Sequence, residues 1–178
     1  MNRIEKVSKW KFGFFLVWQE GRESRWLKSM SAQGWHLKQV MVFFYRFEKG
    51  EPRDYEYSFD FITGGRTDLQ EYRGLVEDTG WQYIDNMGGW QYFRIDADKA
   101  EGAEIYTDVD SLRAKYRRVL VFLCLSGFPL TLMFVTGSLD RLIENNSPLI
   151  YPIAAIMVML LYAIFRLTIM MLRKQQQR

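Results

Sequence analysis

Two long stretches without charge near the C-terminus limit the folds open to this chain more than any other feature. Val119–Leu139 holds 21 residues and Leu149–Phe165 holds 17, and neither contains Asp, Glu, Lys or Arg; Leu167–Leu172 prolongs the second beyond Arg166. A helix needs about 20 residues to cross the hydrocarbon of a bilayer, because it rises about 1.5 Å per residue. A soluble helix of this length usually keeps a polar face. We therefore expect a hairpin of two transmembrane helices over residues 113–178.

The charges divide the chain at the same place. Residues 1–112 hold 15 Lys+Arg and 19 Asp+Glu, whereas residues 113–178 hold 9 and 2. A nucleic-acid binder concentrates positive charge on its folded domain, so this distribution favours the lipid bilayer and excludes nucleic acid as a partner. The basic residues cluster before the first apolar stretch and after the second, whereas the loop that joins the two stretches holds one Arg and two acids. By the positive-inside rule we expect a multi-pass protein of the cell membrane with both termini in the cytoplasm.

The first two thirds of the chain contain a repeated phrase. AQGWHLKQV begins at Ala32 and DTGWQYIDN begins at Asp78, 46 residues later, and each places Gly-Trp between a helix-like and a strand-like segment. Glycine is common just past the end of a helix, where the backbone turns left-handed. The pattern predicts two units, at roughly 11–49 and 54–96, each with the order strand, helix, strand, strand.

The expected fold class is α+β. It consists of a tandem βαββ repeat, with a six-stranded, mainly antiparallel sheet and two helices on one face, followed by two transmembrane α-helices. Phe12–Trp18 and Tyr55–Phe61 are predicted strands whose alternate aromatic residues form the apolar face towards the helices. The predicted parts are a cytosolic domain over 1–98, an acidic linker over 99–112 and the hairpin over 113–178.

Several short motifs together resemble one known family. They are W-Q-E at Trp18–Glu20, W-L-x-x-M-x-x-x-G-W at Trp26–Trp35, F-x-K-G-x-P-x-D-Y at Phe47–Tyr55, T-G-W at Thr79–Trp81 and G-W-x-Y-F-R at Gly89–Arg94. This frame, spread over about residues 10–95, resembles the DUF2812 family, a domain of unknown function in bacterial, mainly Gram-positive, membrane proteins. The resemblance implies C-terminal membrane helices and PadR-like transcriptional regulators as neighbours. It implies no activity and no catalytic residue.

Aromatic residues are the candidates for binding. The chain has 6 Trp, 10 Tyr and 13 Phe, and aromatic rings beside an acid suit an amphipathic or cationic compound. The candidate ligand-binding residues are Trp18, Glu20, Tyr45, Trp90 and Tyr92, and Glu23, also near Trp18 in sequence, is the alternative to Glu20 for the acid. The alternative is that the aromatic residues only fill the core, which is the interpretation we favour for Trp35 and Trp81.

Catalytic and metal motifs are not recognisable in the sequence. The single cysteine, Cys124, lies in the first apolar stretch, and the single histidine, His36, has no recognisable nucleophile frame around it. Phosphate-binding and dinucleotide-binding fingerprints do not occur. We expect no enzyme activity, no cofactor and no metal site.

Three classes of function remain open. The first is a membrane-anchored cytosolic sensing or adaptor module, which binds a small molecule or a partner protein such as a transcriptional regulator. The second is an accessory subunit of another membrane protein or transporter, because small and hydroxyl residues between Ser126 and Ser138 suit helix packing. The third, an enzyme acting on lipid or envelope substrates, lacks a nucleophile or a metal set.

Overall fold

The computed structural model describes residues 7–102, 105, 109–136, 144–145 and 147–175. They form, in chain order, β1 (Ser8–Phe12), α1 (Glu20–Ala32), β2 (Trp35–Met41), β3 (Phe44–Lys49), β4 (Tyr55–Phe61), α2 (Arg66–Glu77), β5 (Gln82–Met87), β6 (Trp90–Asp96), α3 (Val109–Val135) and α4 (Ile150–Gln175). Short 3₁₀ turns lie at Val17–Gln19 and Ala97–Lys99. The chain divides into two compact units, Met1–Thr107 and Asp108–Arg178. The predicted α+β class is confirmed.

The six strands form two antiparallel sheets of three strands each, with the orders β1-β3-β2 and β4-β6-β5. The prediction of one six-stranded sheet is therefore wrong. Strands β2 and β5 lie side by side, but each has a β-bulge, at Leu37/Gln39 and at Tyr83/Asp85. A bulge interrupts the ladder and bends the strand. At this seam the backbone N–H of Val40 donates instead to the side chain of Asp85, at 2.8 Å.

The two helices lie on opposite faces of the second sheet, so the prediction that both share one face is also wrong. Alternate residues of a strand point to opposite faces. On β4, the hydroxyl of Tyr57 lies 2.7 Å from Ser31 Oγ of α1. Asp60, which is three positions further along β4 and therefore on the opposite face, accepts a hydrogen bond from Tyr72 of α2 at 2.7 Å. The second sheet is thus buried on both sides, and α1 packs between it and β2 of the first sheet.

The first strand lies earlier than predicted. Pairing with β3 runs from Ser8 to Phe12, and the chain then leaves the sheet. The uncharged run that follows, predicted as a strand from its alternate aromatic residues, instead carries the chain from the sheet into α1. Its even positions do not meet the helices, because Phe12 is 65 % exposed and Phe14 is 48 % exposed. The alternation predicted for β4 is confirmed, since Tyr55, Tyr57, Phe59 and Phe61 are all buried.

The two halves of the first unit have matching boundaries. Each has the order strand, helix, strand, strand. The helices begin at Glu20 and Arg66, and the last strands begin at Phe44 and Trp90, each pair 46 positions apart. The two bulges are also 46 positions apart. Duplication of one ancestral unit stays a prediction that these positions favour.

One described helix is long and apolar enough to cross a membrane. It is the Ile150–Leu172 part of α4, with a mean hydropathy of 2.3 and little burial. The first predicted span continues through α3 to Val135 as one helix containing Pro129, and its last residues, 137–139, lie outside the described residues. The same holds for most of the predicted outer loop and for residues 103–104 and 106–108 of the predicted linker.

Glycine at the two Gly-Trp positions supports a testable prediction. Gly34 and Gly80 have φ angles of +75° and +95°, as predicted for residues just past a helix. A Cβ on Gly34 would lie 2.5 Å from the carbonyl oxygen of Gly50, whereas on Gly80 the nearest atom is 3.5 Å away. We expect Gly80→Ala to cost about 1–2 kcal/mol for the left-handed backbone, and Gly34→Ala to cost more because of the additional clash.

Urea unfolding of the full chain in detergent, followed by tryptophan fluorescence, measures both losses. The matched control is Gly74→Ala in α2, where a Cβ meets no atom within 4 Å. There alanine is expected to stabilise by about 0.5–1 kcal/mol. Equal losses for Gly34→Ala and Gly80→Ala would contradict the packing described at the first of them.

Candidate functional site: an aromatic cleft around a buried carboxylate

A cleft with a volume of about 100 Å³ opens beside the start of α1. The first sheet, the second sheet and the segment that joins β1 to α1 all contribute to its wall. The lining residues are Gly13, Phe15, Leu16, Val17, Glu20, Glu23, Val42, Phe43, Tyr45, Phe59, Met87, Trp90 and Tyr92. Its volume equals the space that about three waters take up in the liquid. It accommodates a small polar group rather than a whole drug-sized molecule, since pockets for those span roughly 300–1,000 Å³.

The carboxylate of Glu23 forms the polar centre of the cleft. The hydroxyl of Tyr45, on β3, donates to Glu23 Oε1 at 2.6 Å, and the hydroxyl of Tyr92, on β6, donates to the same oxygen at 3.0 Å. Glu23 is 7 % exposed. A buried charge is costly unless hydrogen bonds compensate it, and bonds to an ionised acceptor are stronger than neutral ones. The two tyrosines therefore stabilise a negative charge within a wall formed largely by aromatic and aliphatic side chains.

The same environment keeps both tyrosines protonated. Burial, and then the negative charge of Glu23, raises the pKa of Tyr45 well above its usual value. The pKa of Tyr92 is raised for the same reasons in the same order. Both hydroxyls therefore remain donors throughout the physiological range, and neither serves as a base there.

Aromatic rings surround this carboxylate. The ring of Phe15 lies 5.4 Å from Trp26 and 6.2 Å from Tyr45, and Phe59 packs edge-on against Tyr92 at 5.0 Å. Trp90 stacks at a tilt on Phe61 at 5.2 Å. The faces of such rings attract cations. Glu20, one turn before Glu23 on α1, brings a second acid to the wall, with one carboxylate oxygen buried.

Four of the five candidate ligand-binding residues meet in this cleft. Glu20, Tyr45, Trp90 and Tyr92 line it, although Tyr45 and Tyr92 are 47 positions apart in sequence. Trp18 does not line it; it lies half-buried in the 3₁₀ turn before α1. A role of any of these residues in ligand binding stays a prediction.

The central residue is Glu23, which the sequence offered only as the alternative to Glu20 for the acid of the pocket. From the sequence it is one of two acids in the first turn of a helix, where acids suit the helix dipole. The signal that could have found it is its spacing, because Glu23 lies one turn after Glu20 and one turn before Trp26 and Leu27, on the buried side of α1. Phe43 and Phe59 were missed because only the tertiary fold brings their turn and strand to this place.

The other singled-out residues lie elsewhere. Trp81 is 6 % exposed, and Trp35 packs half-buried at the edge of the main core, with the ammonium of Lys9 3.6 Å from its ring centre. The Nε2 atom of His36 is 2.8 Å from the carbonyl oxygen of Glu51. Among the described residues, no group of three or more His, Cys, Asp or Glu side chains could hold a metal ion.

The free energy of unfolding is expected to fall at alkaline pH because of the two buried tyrosines. An unfolded tyrosine ionises near pH 10, whereas Tyr45 and Tyr92 have raised pKa values in the fold. Their contribution is complete below pH 10 and is lost as pH rises further, because only the unfolded chain releases these protons. Urea unfolding measured between pH 8 and 11 should show this loss of stability.

The Tyr45→Phe/Tyr92→Phe variant separates this effect from general alkaline unfolding. It is expected to be less stable at pH 8, by about 1–3 kcal/mol for each donor lost to the buried carboxylate, and to lose less stability between pH 10 and 11. Tyr151→Phe, at a position that is 77 % exposed, is the matched control. A wild-type pH dependence in the double variant would contradict the assignment.

Comparison with known proteins agrees with the motifs. No curated protein and no solved structure matches the chain significantly. The protein family DUF2812, described as a protein of unknown function, matches residues 19–128. That range includes α1 to β6, every cleft residue from Glu20 onwards and the first part of α3. The chain therefore belongs to the DUF2812 family.

Proposed function

We propose that this protein is a membrane-anchored cytosolic sensing or adaptor module whose cleft binds the ammonium group of a small amphipathic molecule. The observation that carries the proposal is the buried carboxylate of Glu23, held by two tyrosines inside an aromatic wall. A carboxylate among aromatic rings is the combination that recognises organic cations in proteins.

The volume of the cleft limits the size of the ligand group that can enter it. A volume of about 100 Å³ suits a methylated or primary ammonium group but not the rest of a larger molecule. Any apolar tail must therefore lie outside, along exposed side chains such as those of Val42 and Phe43 at the cleft wall. A cation with one charged head and an apolar tail satisfies both conditions.

The membrane part of the proposal rests on α3 and α4. We propose that both cross the bilayer as a hairpin with the two termini in the cytoplasm. Exposed apolar side chains along both helices support this, among them Leu125, Phe128, Val158 and Leu161. Such surfaces are favourable in lipid and costly in water. Binding rather than catalysis fits the cleft, whose polar groups are carboxylates and protonated phenols.

The alternative is an accessory subunit that packs its helices on another membrane protein or transporter. It relies on small residues as contact points, of which Gly127 is the best placed. A Cβ on Gly127 would lie 3.8 Å from Leu160 of α4. This small residue already serves the packing of α3 on α4 within the chain, which favours the sensing module over the accessory subunit.

Calorimetric titration of the full chain in lipid nanodiscs with tetramethylammonium tests the ligand class. Glu23→Gln keeps the shape and removes the charge, so the dissociation constant is expected to rise at least tenfold, equal to about 1.4 kcal/mol. Glu71→Gln, at an exposed position on α2, should leave it unchanged. The proposal fails if the wild type gives no binding heat, or if Glu23→Gln binds as tightly as the wild type.

A separate experiment tests the orientation. A reporter fused after Arg178 is expected to be active only in its cytoplasmic form, because basic residues cluster on that side of both apolar stretches. The matched fusion at Asn145, in the connecting loop, should report the opposite side. Two cytoplasmic signals would reject the hairpin, and an exterior signal after Arg178 would reverse its orientation.

A further inference from the structure

The unit that contains the sheets exposes a group of apolar side chains at one end of the first sheet. We call it the aromatic tip; it consists of Phe12, Phe14, Met41, Val42, Phe43 and Phe44. Each is between 46 % and 65 % exposed. They come from the end of β1 and from the turn between β2 and β3.

The rings of the aromatic tip contact one another and form one surface. Phe12 lies 5.8 Å from Phe44 and 6.4 Å from Phe43, and Phe14 lies 5.4 Å from Phe43. An aromatic side chain has roughly 150–250 Å² of surface, so these half-exposed rings with Trp10 leave on the order of 500 Å² open to solvent. A contiguous apolar patch of this size is at the upper end of what soluble monomers expose, and such patches are often functional.

Backbone strain at the tip argues that the exposure is functional. Phe43 has a φ angle of +64° and is the single non-glycine residue with positive φ among the described residues. A bulky residue is disfavoured there, and glycine or asparagine would relieve the strain. Because Phe43 is 46 % exposed, core packing does not explain why a phenylalanine stands at this position.

Charge near the tip is opposite in sign to that of the domain. Residues 7–19 and 37–47 contain Lys9, Lys11, Lys38 and Arg46 but no Asp or Glu, whereas residues 1–112 as a whole carry four more acidic than basic residues. Lys11, Lys38 and Arg46 lie within three positions of a tip residue along their strands, about 10 Å at most, whereas the ammonium of Lys9 lies 3.6 Å from the ring centre of Trp35. These segments thus bring three basic residues to the border of the apolar surface, while Asp85 and Glu20 bring acids from other elements to the side of the cleft.

The polarity changes along the first sheet in steps. Cross-strand partners share a face, so the pair Phe12 and Phe44 is followed by the pair Trp10 and Arg46, and then by Ser8 and Glu48. Phenylalanine at the end, tryptophan and arginine behind it and polar residues last is the order found where a protein enters a bilayer interface.

We propose that the aromatic tip docks on the surface of a bilayer that contains anionic lipids. The positive border complements anionic headgroups, and the apolar rings insert below them. The chain carries its own apolar helix long enough to cross a membrane, Ile150–Leu172, so a lipid surface is the partner always present at high local concentration. Since Val42 and Phe43 also line the cleft, docking brings the cleft wall to the headgroup layer.

Lipid-quenching of a fluorescent probe on the full chain tests the proposal. In a Cys124→Ser background, an environment-sensitive fluorophore is attached through Val42→Cys at the tip, Glu71→Cys on α2 or Tyr162→Cys in α4. Each protein is reconstituted into vesicles that contain lipids brominated near the glycerol end of the acyl chain. Val42 and Glu71 are both exposed, and Tyr162 reports on the anchor.

With anionic vesicles we expect at least a twofold loss of emission at position 42 and no loss at position 71. Adding Lys11→Glu and Lys38→Glu should abolish most of the quenching at position 42, whereas Lys99→Glu should not. Neutral vesicles should quench less than anionic ones.

Three results would overturn docking. One is quenching at position 162 without quenching at 42, which leaves the anchor intact and rejects docking alone. Another is equal quenching at 42 and 71, which removes the specificity of the tip. The third is protection of the probe at position 42 from aqueous iodide without any quenching by lipid. If that protection increases with the density of protein in the vesicles, the partner is a second copy of the chain. Absence of quenching at 162 as well would reject the proposed anchor together with docking.

Discussion

The hydrogen bonds shared by Glu23 connect the two sheets of the first unit at the place where they meet α1. Tyr45 belongs to the first sheet and Tyr92 to the second, and both donate to one oxygen of a carboxylate on α1. Hydrogen bonds to a charged group contribute about 1.5–3 kcal/mol each, and loss of one partner of a buried charge costs more. Because no backbone ladder joins the two sheets among the described strands, side chains connect them, through α1, this carboxylate and the bond between Val40 and Asp85.

Both matching halves contribute to the site, but its buried carboxylate has no counterpart in the second half. The position 46 residues after Glu23 is Leu69, and the position 46 residues after Tyr45 is Gln91. In the second half Gln91 accepts hydrogen bonds from Arg73, at 2.7 and 2.9 Å, and Asp60 accepts one from Tyr72. One half uses its buried polar groups to fix its own helix, and the other places a charge beside an opening. The helix of the first half thus supplies the buried acid of a site to which both halves contribute, whereas polar groups of the second half fix the helix of that half.

The elements followed from sequence patterns, and their arrangement did not. The helices at Glu20 and Arg66 and the left-handed glycines Gly34 and Gly80 were predictable, because capping and periodicity are local signals. Division into two sheets was not, because it depends on bulges at Leu37/Gln39 and Tyr83/Asp85, which sequence alternation does not reveal. The prediction also placed Phe12 and Phe14 on the face towards the helices, although both are exposed, because alternation alone does not tell a buried strand from an exposed one.

The abundance of aromatic residues pointed to Tyr45, Trp90 and Tyr92, because large rings near predicted strand ends pack against one another in a small domain. It did not single out Glu23, whose importance depends on two phenols from distant strands. From the sequence alone, an acid in the first turn of a helix cannot be told from an acid that is buried and held by hydrogen bonds.

The seam at Val40 and Asp85 has a mechanical consequence. A continuous ladder resists shear through many backbone bonds, but here a backbone-to-side-chain bond and apolar packing span the boundary between β2 and β5. The cleft takes one wall from each side of that boundary. A small rotation of one sheet about the seam therefore changes the width of the cleft. A ligand that fills the cleft would in turn restrict the angle between the two sheets.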